Sequence, residues 1–239
     1  MTADQARRAV RPAFGGVLLD WRGTLVVAPT YPRLVRTALG RLGRSDGPEA
    51  VEAVLALLRG ADATVVSSSA IDTDADEHRR AHAAWFRAAG LDAELSAVLY
   101  AVESDVHANP FACDVGPLLR ALRDAGVRVA IVSDIHVDLR PAFAAQREPD
   151  GSSWADLIDA WVLSFEVGVA KPAAAMFVLA LERLGLAAQD VLMVGDRGGW
   201  DGAASEMGIT TLLVPPLRGV EDRRLQRVLD LVCPGEALG

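Results

Sequence analysis

Three short apolar runs, each closed by a polar turn that carries an acid or a hydroxyl, constrain this chain more than any other feature. Residues 16–19 run into Asp20, residues 127–132 into Ser133 and Asp134, and residues 191–194 into Gly195 and Asp196. Runs this short, apolar but for Arg128 rather than alternating, read as strands buried on both faces, the pattern of a parallel sheet. Two more runs, at residues 160–164 and 209–214, bring the set to five. Helical patterns separate them at residues 115–125, closed by Gly126, then at 173–184, with a closing helix at 221–231. Alternation of this kind predicts an α/β fold, a doubly wound parallel sheet with right-handed crossovers. In such sheets the carboxyl ends of the strands share one edge, where ligands bind.

Between the first strand and the rest the period is helical throughout. Pro29, Pro32, Gly47 and Pro48 cut this stretch into short pieces. Leu34, Val35, Ala38, Leu39 and Leu42 make one apolar stripe, Val51, Val54, Leu55 and Leu58 a second, and Ala81, Ala84, Trp85 and Ala88 a third. Asp72 or Thr73 suits the cap of the third helix, with Asp76 and Glu77 in its first turn and Gly90 at its end. A fourth helix is expected at residues 93–106. A helical insertion placed directly after a site strand is expected to cover that site. The domain reading is a loose tail at residues 1–13, a core of residues 14–29 and 110–239, and an inserted all-helical segment at 30–109. Residues 146–153, rich in Pro, Asp, Gly and Ser, read as a surface loop.

Composition narrows the partners. A formal net charge of −8 disfavours nucleic acid and anionic membrane, because phosphate backbones demand concentrated Lys and Arg. Small phosphorylated ligands stay compatible if the site is locally basic. Cys113 and Cys233 show neither metal spacing nor a disulfide pattern. With no run of membrane-spanning length and no signal-peptide core, a cytoplasmic location is expected. Nothing in the sequence bears on oligomeric state.

The strand ends supply the chemistry. Asp20, Ser133, Lys171, Asp196 and Asp201 all fall at or near the expected ligand edge, and Gly23 and Thr24 allow a sharp bend beside Asp20. Carboxylates gathered there repel one another unless a hard divalent ion such as Mg²⁺ sits among them. Lys171 is the only lysine in a chain whose other basic residues are all arginine. A compact ammonium kept at this one place suggests that a planar guanidinium would not serve. The plainer alternatives are that Asp20 is a turn former and that Asp196 and Asp201 cap the helix after Gly199.

Taken together, Asp20-Trp21-Arg22-Gly23-Thr24-Leu25, Val132-Ser133-Asp134, Lys171-Pro172 and Gly195-Asp196 with Asp201 resemble the four ordered motifs of the haloacid dehalogenase-like hydrolase superfamily. The likeness runs over residues 16–214. It implies a Rossmann-like core, with the helical insertion as a cap of the type called C1. It also implies that Asp20 attacks phosphorus and carries an aspartyl-phosphate. The same resemblance implies Mg²⁺ held by Asp20, the backbone carbonyl of Arg22 and Asp196, with Asp201 direct or through water. Ser133, Asp134, Gly23 and Thr24 would bind the phosphoryl group, and Lys171 would neutralise charge on it.

One position departs from the pattern. Phosphatases of the superfamily carry an acid two residues after the nucleophile; here that residue is Arg22. General acid-base catalysis is typically worth about two to four decades of rate, so alkyl phosphate esters should turn over slowly. The leading expectation is a phosphohydrolase of small phosphorylated metabolites that uses a good leaving group or draws a proton from His136, Asp138, His78, His82 or His107. Each of those histidines reads first as an ordinary surface or interface residue, because titration near neutral pH does not by itself make a catalyst. Alternatives are a phospholigand-binding or regulatory protein in which Arg22 receives the anion or pairs with Asp20, a dehalogenase, and a phosphonatase-like hydrolase. Dehalogenases do not keep the Gly195-Asp196 cluster, and phosphonatases need a cap lysine that is absent here. Trp85, Arg79, His78 and His82 are candidates for shaping substrate choice from the insertion.

Overall fold

A computed structural model describes residues 12–67 and 69–234 of the chain. Strand β1 (Gly16–Leu19) is followed by helices α1 (Tyr31–Arg41), α2 (Pro48–Gly60), α3 (Ala75–Ala88) and α4 (Ala93–Glu103). The chain continues through α5 (Val115–Asp124), β2 (Arg128–Ser133), α6 (Arg140–Ala144), β3 (Ala160–Leu163), α7 (Ser164–Val167), α8 (Ala174–Leu184), β4 (Val191–Gly195), β5 (Thr210–Leu213) and α9 (Gln226–Val232). All strand pairs are parallel, in the order β3-β2-β1-β4-β5. This is the Rossmann-like arrangement, with β1 at the centre and the order reversing on either side of it.

The apolar runs are continuous because both faces of the sheet are covered. Strand β1 sends Val17 and Leu19 into one layer and Leu18 into the other. The first layer is closed by Leu118, Leu119 and Leu122 of α5, Phe143 of α6, and Val228 and Val232 of α9. Met176, Phe177, Ala180 and Leu184 of α8 close the second. Trp21 is fully buried between Phe111 and Phe143, so it serves the core rather than the ligand edge.

Helices α1 to α4 build an apolar cluster of their own, in which Leu34, Val35, Ala38, Val51, Val54 and Leu58 meet Trp85, Phe86, Leu95 and Leu99. The first two stripes follow the predicted spacing. The third does not: α3 buries His78, His82, Trp85 and Phe86, and leaves Ala84 and Ala88 exposed. Uncharged imidazoles pack as flat aromatic rings, whereas the alanines offer too little area to hold a face inward.

Several boundaries shift. The cap of α3 is Asp74, which accepts from the backbone N–H groups of Asp76 and Glu77, in place of Asp72 or Thr73. Helix α4 stops at Glu103, and Val106–Ala108 forms a separate 3-10 turn whose Asp105 accepts from the His107 N–H. Helix α9 begins five residues later than its periodicity suggests, because Asp114 takes the N–H groups of Arg224 and Leu225 and holds that approach as a turn. Residues 1–11 of the expected tail lie outside the described residues, and Ala13 is tied to the Val232 carbonyl at 2.8 Å. Loop 146–153 is pinned by a bridge between Arg147 and Ser153. Among the described residues no single helix is long and apolar enough to cross a membrane.

Candidate active site

Register brings the strand ends level. Leu19 pairs with Ile131 on one side and Val194 on the other, so Asp20 emerges beside Val132 and Gly195, one step before Ser133 and Asp196. The Asp20 N–H donates to the Val194 carbonyl at 3.0 Å and fixes the first residue beyond β1. The chain then turns sharply, with the Leu25 N–H donating to the Trp21 carbonyl at 2.9 Å. Gly23 sits at φ 87°, and a Cβ there would lie 2.5 Å from Asp196 Oδ2. Gly195 is equally constrained, since a Cβ on it would stand 2.2 Å from Asp201 Cγ. Backbone without side chains is what lets three carboxylates crowd together here.

Lys171 organises that crowd. Its Nζ donates to Asp20 Oδ1 and to Asp201 Oδ1, each at 2.6 Å. Thr24 Oγ1 donates to Asp20 Oδ2 at 3.0 Å. Asp201 also accepts the Arg197 N–H at 2.9 Å, and Asp134 accepts the Lys171 backbone N–H at 2.8 Å. Asp134 therefore holds the chain at Lys171. Asp201 does not cap the turn that follows it: that turn's cap position is Trp200, with no side-chain capping bond.

Burial sets the charges. Desolvation would lower the Lys171 ammonium, but Asp20, Asp201 and Asp134 outweigh it and hold the group above its ordinary value. Desolvation pushes the Asp20 carboxyl up, and Lys171 opposes it. Asp196 is pushed up to about 6, first by desolvation and then by the charges of Asp20 and Asp201. Three carboxylates against one ammonium leave the cluster short of positive charge.

The donor set fits a divalent cation. Oxygens of Asp20, Asp196 and Asp201 lie within 4.8 Å of one another, and Asp196 Oδ1 is buried without a hydrogen-bond partner. A buried carboxylate oxygen left bare beside two other acids is what a hard, oxygen-seeking ion would satisfy.

Arg22 goes elsewhere. Its guanidinium donates to Glu103 Oε1 and to the Glu103 carbonyl, both at 3.0 Å, at the end of α4. The alternative in which it faces Asp20, as anion receptor or counter-ion, has no contact to support it. As a side chain it joins the insertion to the nucleophile turn. Arg22→Ala is expected to cost about 1–3 kcal/mol of stability, because Glu103 would keep a buried charge without its partner. Denaturant unfolding checks this, and a second substitution, Glu103→Gln, should recover most of the loss.

The histidines hold the largest departure from expectation. His78, His82 and His136 are buried and stacked, with ring centroids of His78 and His136 3.4 Å apart and of His78 and His82 4.1 Å apart. Only His107 is exposed. Desolvation lowers His78 to about 3 and lowers His82 as well. The unfolded chain takes up a proton near the ordinary value of 6.5 while folded His78 does not, so its contribution falls as pH drops from 6.5 towards 3. Between pH 7 and pH 5, in chelator, the wild type should therefore lose about 1–2 kcal/mol more than His78→Gln in denaturant unfolding. Equal losses would contradict neutral burial of this ring. Trp85 lies in the insertion's core, while Arg79 and Asp138 are exposed and pair with Asp76 and Arg140.

Arg224 is a contributor that no sequence signal marks. It is buried and donates to the carbonyls of Gly23, Thr24 and Pro215, clamping the turn beside Asp20 from the far end of the chain.

Comparison with known proteins decides the family. The model of the haloacid dehalogenase-like hydrolases matches residues 14–208. This chain belongs to the haloacid dehalogenase-like hydrolase family. A curated relative, the ribulose-1,5-bisphosphate 5-phosphatase of Halopiger xanaduensis, is 35% identical over 104 residues, which cover 43% of this chain and 41% of that protein. The chain thus spans less than half the length of the curated relative it matches. Among solved structures, a haloacid dehalogenase-like phosphatase from Thermococcus onnurineus superposes with a TM-score of 0.53 at 24% identity, covering 85% of this chain and 88% of that one. The L-2-haloacid dehalogenase of Xanthobacter autotrophicus gives 0.59 at 23% identity, covering 86% and 79%. Phosphatases and dehalogenases share this fold, so the fold by itself does not choose between them.

Proposed function

We propose that the chain is a cytoplasmic, Mg²⁺-dependent phosphohydrolase of small phosphorylated metabolites, acting through an aspartyl-phosphate on Asp20. The observation that carries this reading is the bridge from Lys171 to Asp20 and Asp201 beside the bare, buried oxygen of Asp196. A dehalogenase has no use for that acidic cluster. A phosphate receptor built on Arg22 is disfavoured by the commitment of its guanidinium to Glu103.

Each residue then has a physical task. Lys171 and Thr24 orient the Asp20 carboxylate, and the Lys171 ammonium favours its ionised form, so that one of its oxygens can form the bond to phosphorus. As that bond forms, the bond from phosphorus to the leaving oxygen breaks and the electron pair leaves with it. Water then attacks the phosphoryl group, releasing inorganic phosphate and regenerating the carboxylate. Ser133, buried at the end of β2, and Lys171 supply donors for charge on the phosphoryl oxygens. Mg²⁺ held by Asp20, Asp196, Asp201 and the Arg22 carbonyl would supply charge neutralisation between the carboxylate and the phosphate. Helices α1 to α4 act as the cap, with Arg22 and Glu103 joining them to the turn at the nucleophile.

Because Arg22 replaces the acid, the substrates served best are those whose leaving oxygen needs no proton, and acyl phosphates head that class. The relative's name makes a pentulose bisphosphate the first metabolite to try. The test is phosphate release from acetyl phosphate, para-nitrophenyl phosphate, ribulose-1,5-bisphosphate and a panel of sugar phosphates, with Mg²⁺ and with chelator. Metal-dependent release that ranks with leaving-group acidity supports the reading. Phosphate binding without release would favour the receptor, and release of halide from 2-haloacids would favour the dehalogenase.

A further inference from the structure

The stacked histidines belong neither to the phosphoryl site nor to an ordinary apolar core. They sit where the insertion meets the core: His78 on α3, His136 just beyond β2, and Asp72 in the 3-10 turn Ser69–Thr73. Backbone contacts hold the junction, since Ser164 Oγ donates to the Asp72 carbonyl at 2.7 Å and accepts the Ile135 N–H at 2.8 Å.

Hydrogen bonding fixes which ring nitrogens look inward. His136 Nε2 is hydrogen-bonded to Ser104 Oγ at 3.0 Å and lies 3.2 Å from Glu103 Oε2. The other ring nitrogen, His136 Nδ1, is buried and has no hydrogen-bond partner. On His78 the outward atom is Nδ1, 3.1 Å from the Tyr100 hydroxyl, and the inward one is Nε2. Both inward nitrogens face one oxygen, Asp72 Oδ1, at 3.7 Å from His78 and 3.9 Å from His136. Neither separation is a hydrogen bond. Three potential ligand atoms therefore converge on one place, and among the described residues Asp72 pairs with no Lys or Arg, an arrangement that a cation would satisfy.

We propose that His78 Nε2, His136 Nδ1 and Asp72 Oδ1 form a second metal site, separate from the acidic cluster, that takes a borderline divalent ion of the Zn²⁺ or Co²⁺ type. Two imidazoles and a single carboxylate suit such ions and suit Mg²⁺ poorly. Ser104 and Tyr100 hydrogen-bond the outer ring nitrogens, as the partners that orient metal-bound histidines do. The two rings lie in nearly parallel planes, 6° apart, so a bound ion turns one of them out of the stack. Because one donor comes from the core and two from the insertion, occupancy fastens the two together.

The test uses the whole chain, stripped of metal and then saturated with Mg²⁺, and titrated with Co²⁺ or Zn²⁺ by calorimetry and visible absorption. The expected result is one equivalent bound, with intense Co²⁺ bands, unchanged in Asp196→Asn. Affinity should fall by more than about 100-fold in His78→Ala and His136→Ala, and by roughly 10- to 100-fold in Tyr100→Phe. No binding overturns the proposal, as does binding that survives both histidine variants or vanishes in Asp196→Asn. Should the histidine variants fail to fold, the imidazole ¹⁵N resonances of wild-type His78 and His136 decide. Coordination shifts with Zn²⁺ support the site, and unmoved resonances refute it.

Discussion

Asp20→Asn is expected to lower the turnover of acetyl phosphate by on the order of 10⁴-fold or more while leaving the unfolding midpoint nearly unchanged. The amide keeps the shape of the carboxylate and an oxygen able to accept from Lys171 Nζ, which lies 2.6 Å from Asp20 Oδ1. What it loses is the nucleophilic charge, so the effect falls on kcat rather than on folding. Steady-state kinetics beside a thermal melt separates the two. A variant that kept a tenth of the wild-type rate would remove Asp20 from the chemistry.

Lys171→Met should be the most destabilising single change at the site. Lys171 is 3% exposed and neutralises two carboxylates at once. Removing one partner of a buried ion pair costs about 3–5 kcal/mol, because the charge left behind is neither solvated nor paired. The loss should depend on pH in a definite direction. Burial raises the Asp20 carboxyl, and without the ammonium only the Trp21 backbone hydrogen bond still opposes that rise. A carboxyl raised in the folded state binds its proton more readily there than in the unfolded chain, so its contribution is lost as pH increases. The variant should therefore be closer to wild type at pH 5 than at pH 8 in chelator, and added Mg²⁺ should recover part of the difference at pH 8. Lys171→Arg should not restore activity, because a planar guanidinium cannot replace a point charge shared between two carboxylates 2.6 Å away.

The sheet and its ligand edge were legible in the sequence because their signals are local. A buried parallel strand must be apolar along its whole length, and its exit must be polar, so the runs before Asp20, Ser133 and Asp196 announce both structure and site. The solitary lysine stood out for a compositional reason, and the geometry puts it at the centre of the acidic cluster. The contacts around that centre were not legible. Glu103 lies 81 residues from its partner Arg22, and Arg224 lies 201 residues from Gly23. No local pattern encodes either meeting. Helix α3 departs from its pattern for another reason: hydropathy counts imidazole as polar and alanine as apolar, yet His78 stacked between the rings of His82 and His136 hides more surface than the alanines can.

The missing acid gives the most direct test of the central claim. With Arg22 in place of the residue that would activate water, hydrolysis of the intermediate should be slower than its formation, so phosphorylated enzyme should accumulate. The measurement is acid-quenched peptide mapping by mass spectrometry after mixing with acetyl phosphate and Mg²⁺. One phosphoryl group on the peptide containing Asp20, absent in chelator and in Asp20→Asn, is the predicted result. Release of phosphate during turnover with no label at Asp20 at any quench time, or with the label on another residue, would contradict it.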